Sequence, residues 1–200
     1  MTRELVLLWL AAFPLMGSPG PATLSLAGLG TAFGFRASLA YLAGIIIGTA
    51  LVLVLIATGV TALILAQPVL LVALTVLAAA YILYLAWKIA TAPVGRIATD
   101  GDKAPSFIPA LALAVANPKA YAAIGAVYAG HRLIADNLAA DTMAKLAALF
   151  LVIVVVNTTW LAFGALFARL LTNPVIGRTV NVVFALMLVG SVALALSGEF

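Results

Sequence analysis

The sequence predicts an all-α integral membrane protein with six transmembrane helices, arranged as two inverted three-helix repeats whose first and fourth helices are broken. Three observations carry that prediction. Hydrophobic residues make up 66% of the chain and charged residues 8%, too few polar side chains to give a soluble domain a wetted surface. Six apolar runs reach the roughly 20 residues needed to cross a hydrocarbon core about 30 Å thick. Two of those runs, about half a chain apart, are interrupted by proline: S-P-G-P-A-T at Ser18–Thr23 and A-N-P-K-A at Ala116–Ala120.

In order, the runs are Leu5–Gly30, Ser38–Ala66, Val69–Thr91, Phe107–Gly130, Thr142–Leu171 and Val175–Ser197. The first seventeen residues have some features of a signal peptide, with Arg3 as the positive end and Met16-Gly17 near a cleavage site. Removing them would leave five spans and truncate one half, so the first run reads as a span. Gln67-Pro68 turns the second run into the third and Asn173-Pro174 the fifth into the sixth, each a polar residue followed by proline between apolar stretches. Longer connections fall at Ala92–Ser106 and His131–Asp141. Each half is then a proline-interrupted span, a long span and a shorter one, and an odd number of spans per half forces the second half to insert upside down. That is the pattern of inverted repeats in secondary transporters. The chain is read as one membrane domain, residues 1–200, with halves of about 1–91 and 107–200.

Lysine and arginine set the orientation. Arg36, Lys88, Arg96, Lys103, Arg169 and Arg178 fall on one side of the expected bilayer, against Arg3, Arg132 and Lys145 on the other. The richer side is cytoplasmic by the positive-inside rule. Both termini are therefore expected outside, with the 92–106 loop cytoplasmic. Trp9, Tyr84 and Trp87 fall near the expected interfaces, where amphipathic rings anchor helices.

In lipid every backbone N–H and C=O must be paired internally, so unwound backbone at membrane depth persists only inside protein or beside a water-filled cavity. Paired breaks point to a substrate site. Pro19 and Pro21 lack N–H donors, and Gly20 between them tolerates dihedrals that other residues avoid. Opening the helix exposes carbonyls before the break and N–H groups after it, where Thr23 and Ser25 add hydroxyls. The N–H end carries partial positive charge and suits a carboxylate. The ordinary alternative is a kink repaired by neighbouring helices, and a second break weighs against it.

Asn117-Pro118-Lys119 is the sharper signal, because it places a basic residue well inside an apolar run. A charge at the bilayer centre costs about 3 kcal/mol on insertion scales, so such residues usually face a cavity. The alternative is that Lys119 snorkels from the end of a shorter helix. Starting the helix after Lys119 would leave only Ala120–Gly130, about half of a span. Lys119 is therefore expected to pair with, or balance, an anionic substrate group. Asn157, in the middle of the fifth span, completes the cavity. Thr49, Thr158 and Thr159 are weaker candidates, since buried threonines commonly only bridge helices. Gly44 and Gly48 read as a close helix contact. Gly28, Gly30 and Gly34 lack the spacing and the preceding strand of a nucleotide fingerprint. The expected substrate-binding set is Pro19, Gly20, Pro21, Thr23, Asn117, Pro118, Lys119 and Asn157.

Other chemistry finds little support. There is no cysteine, which removes disulfides, thiolate catalysis and cysteine metal sites. The single histidine, His131, excludes a two-histidine zinc protease, and no Gly-x-Ser-x-Gly elbow occurs. Asp100-Gly101-Asp102 lacks the remaining ligands of a calcium loop. The basic residues are scattered singly, so they read as topology signals and not as a nucleic-acid surface. No catalytic residue, metal or cofactor is expected, and an intramembrane enzyme is the least favoured reading. A channel or accessory membrane subunit is the main alternative to a transporter, because breaks and small residues do not themselves specify alternating access.

Taken in order, these strings resemble the lysine exporter (LysE/RhtB) family of small amino-acid exporters over nearly the whole chain. The resemblance rests on S-P-G-P-A-T at Ser18–Thr23, on Tyr81, Leu85 and Trp87 in A-Y-I-L-Y-L-A-W-K, on Asn117-Pro118-Lys119, and on Asn181, Phe184 and Gly190 in the sixth span. It implies efflux of an amino acid or related metabolite from the cytoplasm across the inner membrane, driven by ion exchange. Two departures bear on the substrate. Family members often carry an acidic residue where this chain has Gly48-Thr49, and many carry Asp where it has Asn157. Its six acids, Glu4, Asp100, Asp102, Asp136, Asp141 and Glu199, fall outside the expected spans or at their ends. Without a membrane carboxylate to act as proton carrier or counter-ion, a zwitterion or anion-bearing solute fits better than a cation. The expected partners are a small amino-acid-like substrate and membrane lipid, with a homodimer left open and no nucleic acid.

Overall fold

The structure, a computed structural model, describes residues 2–59, 68–91, 105–170 and 174–197. All its described elements are helices: α1 (Thr2–Gly17), α2 (Pro21–Phe33), α3 (Leu39–Ala57), α4 (Pro68–Ala90), α5 (Phe107–Val115), α6 (Pro118–Gly130), α7 (Leu138–Leu170) and α8 (Pro174–Ser197). Helices α3 and α7, the latter over Leu138–Phe167, are each long and apolar enough to cross a membrane. So is each of two bent pairs taken as a single span: α1 with α2, bent by 64°, and α5 with α6, bent by 58°. By length and composition the described residues thus hold two to four spans. Helices α4 and α8 run 23 and 24 residues, with apolar stretches described at Ala79–Ala90 and Val175–Gly190.

Both expected breaks are present, and proline explains their positions. Pro21 and Pro118 stand at the first positions of α2 and α6, where a missing N–H costs nothing. Pro68 and Pro174 open α4 and α8 in the same way; their expected turn partners, Gln67 and Asn173, lie outside the described residues, as does the 92–104 part of the long loop. Helix α3 stops earlier than expected. Thr58 and Gly59 turn out of it, with Gly59 at φ 75°, a left-handed backbone that ends helices; the expected continuation to Ala66 falls outside the described residues.

Helix α7 instead starts earlier than the expected Thr142, because Asn137 caps it by accepting the Ala140 N–H at 3.0 Å. Asp141 in its first turn is buried, accepts the N–H groups of Leu133 and Ile134 at 2.6 and 3.0 Å, and pairs with Lys145 at 2.9 Å. Lys145 also donates to the carbonyls of Tyr128 and His131. Lys145 is buried, whereas Lys119 is half-buried. Lys145, counted above among the topology signals, is a neutralised staple holding the α6–α7 connection.

Helix association in lipid relies on close packing through small residues, since lipid tails are as apolar as leucine. Two glycine seams supply it here. Along the first, a Cβ on Gly30 would fall 2.5 Å from the Leu161 carbonyl oxygen, and one on Gly164 would overlap the Ala27 carbonyl. Thr31 reinforces the seam by donating to both Ala27 and Gly164 carbonyls, at 2.9 and 3.1 Å. Along the second, Gly44 and Gly48 admit α5; a Cβ on Gly48 would lie 2.7 Å from the Ala114 Cβ and 2.8 Å from the Leu111 carbonyl oxygen. The expected packing role of Gly44 and Gly48 holds, and Gly30 serves packing as well. In consequence α7 packs on both α1 and α2, α3 packs on both α5 and α6, and α4 packs on α8.

Gly164→Val should therefore lower unfolding stability in detergent by about 1–3 kcal/mol, the usual cost of overpacking. Gly125→Ala, where a Cβ meets nothing within 4 Å, should stay within about 0.5 kcal/mol of the native chain or gain helix propensity. Thermal unfolding of the two purified variants checks the contrast.

Candidate functional site

Breaking a helix strands the carbonyls that the next turn would have served, and the first break can be followed group by group. Pro19 cannot serve the Leu15 carbonyl; the Ser18 hydroxyl donates to it instead, at 2.9 Å. Pro21 cannot serve Gly17; the Trp160 indole N–H on α7 does so at 3.0 Å. The Ser18 carbonyl, turned away from α2 by the break, accepts from the Lys119 ammonium on α6, with the Thr23 hydroxyl also within 3.4 Å. The Gly20 N–H donates to the Thr23 hydroxyl oxygen at 2.9 Å, the return half of a capping box whose other half a glycine cannot supply. At the second break Asn117 caps α6, its side-chain oxygen accepting the Lys119 N–H at 3.2 Å.

These exchanges bring the two breaks to one place. A cleft with a cavity volume of about 40 Å³, part of it open to the outside, is lined by Met16, Gly20, Ala22, Thr23, Thr49, Asn117, Lys119, Ala120, Ala123, Ile124, Ile153, Val156 and Asn157. That is room for one or a few ordered waters, below the roughly 300–1,000 Å³ of small-molecule sites. Of the residues expected from sequence, Gly20, Thr23, Asn117, Lys119 and Asn157 meet on its wall. Pro19, Pro21 and Pro118 do not line it. Pro19 and Pro118 are exposed and Pro21 is buried at the start of α2, so the prolines shape the breaks while their neighbours face the cleft.

Several details differ from the sequence reading. Gly20 adopts φ −172° and ψ 178°, extended backbone open to any residue, so its lack of a side chain matters for space. A Cβ there would fall 2.5 Å from Lys119 Cδ and 3.1 Å from Nζ. Ser25 faces away from the cleft, donating to the Ala22 carbonyl and accepting from the Tyr41 hydroxyl at 3.1 Å. Thr159 is exposed, whereas Thr49 is buried and lines the cleft. Trp160 is absent from the sequence reading, and Ser18 enters it only as the start of the break motif. The signal for Trp160 was its place three residues after Asn157, one helical turn along the same face.

The electrostatics are simple. Among the described residues, no acidic side chain lines the cleft and Lys119 is its only charged residue. Lys119 belongs to the first turn of α6, where the helix dipole is positive and disfavours a cation. Its ammonium is held at the opposite end of another helix, by the carbonyl of Ser18 just past α1. Ala22 and Thr23, in the first turn of α2 where backbone N–H groups lack intrahelical partners, line the same cleft. The site therefore offers a tethered cation, a carbonyl end, a helix N-terminus, the hydroxyls of Thr23 and Thr49 and the amides of Asn117 and Asn157, within apolar walls. That set binds and orients a charged small molecule; it holds no nucleophile–base pair for covalent chemistry.

Residues 13–198 match the family described as LysE type translocator. The chain belongs to that family. The cysteine/O-acetylserine efflux protein of Salmonella typhimurium (strain LT2) is 32% identical over 176 residues, covering 86% of this chain and 87% of that protein. The protein of the same name from Escherichia coli (strain K12) is 33% identical over 175 residues, with the same coverage. No solved structure matches the chain. The chain is thus a multi-pass inner-membrane translocator and not an enzyme, as the resemblance of its motifs implied.

Trp160→Phe keeps an aromatic ring on α7 but removes the donor to Gly17. Leaving that carbonyl unpaired should cost about 1–3 kcal/mol, read as a lowered unfolding midpoint of the purified protein. An unchanged midpoint would mean that the break is satisfied by other means.

Proposed function

We propose that the chain is a secondary active exporter that carries a small zwitterionic amino acid or related metabolite out of the cytoplasm, alternately exposing the cleft between its broken helices. The observation that carries this reading is the meeting of two proline breaks on one cleft, bridged by Lys119. A zwitterion matches what the cleft offers: its carboxylate suits the start of α2 and the Lys119 ammonium, and its ammonium suits the carbonyl end of α1. Thr23, Asn117 and Asn157 would orient the solute by hydrogen bonds. The relatives' names add support, since cysteine and O-acetylserine are both small amino acids that carry the two charges.

The proposal includes six spans in two inverted halves. The order of elements supports it, because a bent pair followed by two helices occurs twice, as α1–α4 and as α5–α8. The contacts support it too: α3 packs on the second bent pair as α7 packs on the first, and α4 meets α8. Alternating access would then be rocking of the halves about the fixed site. The lysine and arginine count favours both termini outside.

Counterflow tests the reading. Proteoliposomes preloaded with unlabelled O-acetylserine or L-cysteine should take up the labelled compound above its equilibrium level before it decays. A channel would equilibrate the label without overshoot, and that result would contradict the proposal. Lys119→Met should abolish the overshoot while the protein still inserts and purifies as the native chain does.

A further inference from the structure

Lys119 does more in this structure than wait for an anion. Its ammonium already occupies the Ser18 carbonyl, the place that the proposed reading gives to the substrate's own ammonium. Its stem fills the space over Gly20. We infer that Lys119 is a tethered stand-in for the substrate ammonium, and that a solute enters the site only by displacing it. This inference rests on the transporter reading and adds to it a selection rule.

The rule follows from counting charges in a cleft without acids. With Lys119 at rest, the cleft holds one positive charge, paired with a carbonyl end. When a zwitterion enters, its ammonium takes the Ser18 carbonyl, and the displaced Lys119 meets the incoming carboxylate. The net charge stays the same, and each charged group has a partner. A simple amine would also need the Ser18 carbonyl, but the displaced Lys119 would find no anion. Two cations would then share a low-dielectric site, which is costly. Native Lys119 therefore rejects amines that lack a carboxylate. It does so by repulsion as much as by attraction, and a specificity switch usually needs both. A glycine at position 20 fits the same account, because the lysine stem needs that space at rest.

L-Serine and ethanolamine form the test pair, since they differ by the carboxylate alone. Binding of each to the purified chain in lipid nanodiscs is measured by calorimetry for the native protein, Lys119→Met and Lys119→Gln. The native chain should prefer serine. Both variants should bind ethanolamine more tightly than the native chain, by about tenfold or more, and serine more weakly by a similar factor, the usual worth of a charge-assisted hydrogen bond. Lys119→Gln keeps a neutral donor for the break and so gives a readout if Lys119→Met does not fold. Loss of both ligands together, or an unchanged preference in the folded variant, would overturn the inference and leave a merely structural or purely attractive lysine. Failure of the transporter reading looks different: the native chain would then show no counterflow at all.

Discussion

A peptide group stranded in hydrocarbon must find a partner within the protein, and the rest of this structure depends on how one broken helix meets that demand. Proline at positions 19 and 21 withdraws two N–H donors, and the bend turns the end of α1 away from α2. Each stranded carbonyl then selects what must come near it. The Leu15 carbonyl takes the Ser18 hydroxyl, the Gly17 carbonyl takes an indole from α7, and the Ser18 carbonyl takes an ammonium from α6. The partners come from three parts of the chain. A local defect in sequence is thereby converted into long-range tertiary structure.

Such reach requires helices that approach closely, and the glycines provide it. Trp160 can serve Gly17 because α7 lies against α1 and α2, with Gly30 and Gly164 facing each other's backbone. On the other side, Gly44 and Gly48 bring α3 onto the backbone of α5, which places Thr49 on the cleft next to the second break. Neither seam carries charge. The buried Asp141–Lys145 pair, well removed in sequence from both breaks, is closed on itself with its own carbonyl and N–H partners. Among the described residues Lys119 is left as the cleft's one charged side chain, and its resting partner is backbone.

Much of this was legible in the sequence, for definite reasons. Proline and apolar run length act locally, so both breaks, five residues of the cleft wall and the packing pair Gly44 and Gly48 could be read from the sequence. What was not legible depended on direction. Sequence cannot show that Ser25 turns from the cleft toward Tyr41, that Gly20 is needed for space and not for its dihedrals, or that Trp160 looks toward Gly17. Helix ends were also misjudged where capping outweighed hydropathy. Asn137 starts α7 early, and Thr58-Gly59 stops α3 early, although both residue types were visible signals. Nor does composition show that Lys145 is buried, in an ion pair with Asp141 one helical turn away.

The account turns on one claim, that the two breaks line a water-accessible cleft at membrane depth. The native chain has no cysteine, so single substitutions can report on it directly. Thiols react with charged methanethiosulfonate reagents only as hydrated thiolates. Reactivity should therefore appear for Thr49→Cys and Asn157→Cys, and bound substrate should slow it, while Val72→Cys, exposed on α4, should stay inert in lipid. If the thiols at positions 49 and 157 were as unreactive as the one at 72, the breaks would be kinks sealed in protein and the transport site would lie elsewhere.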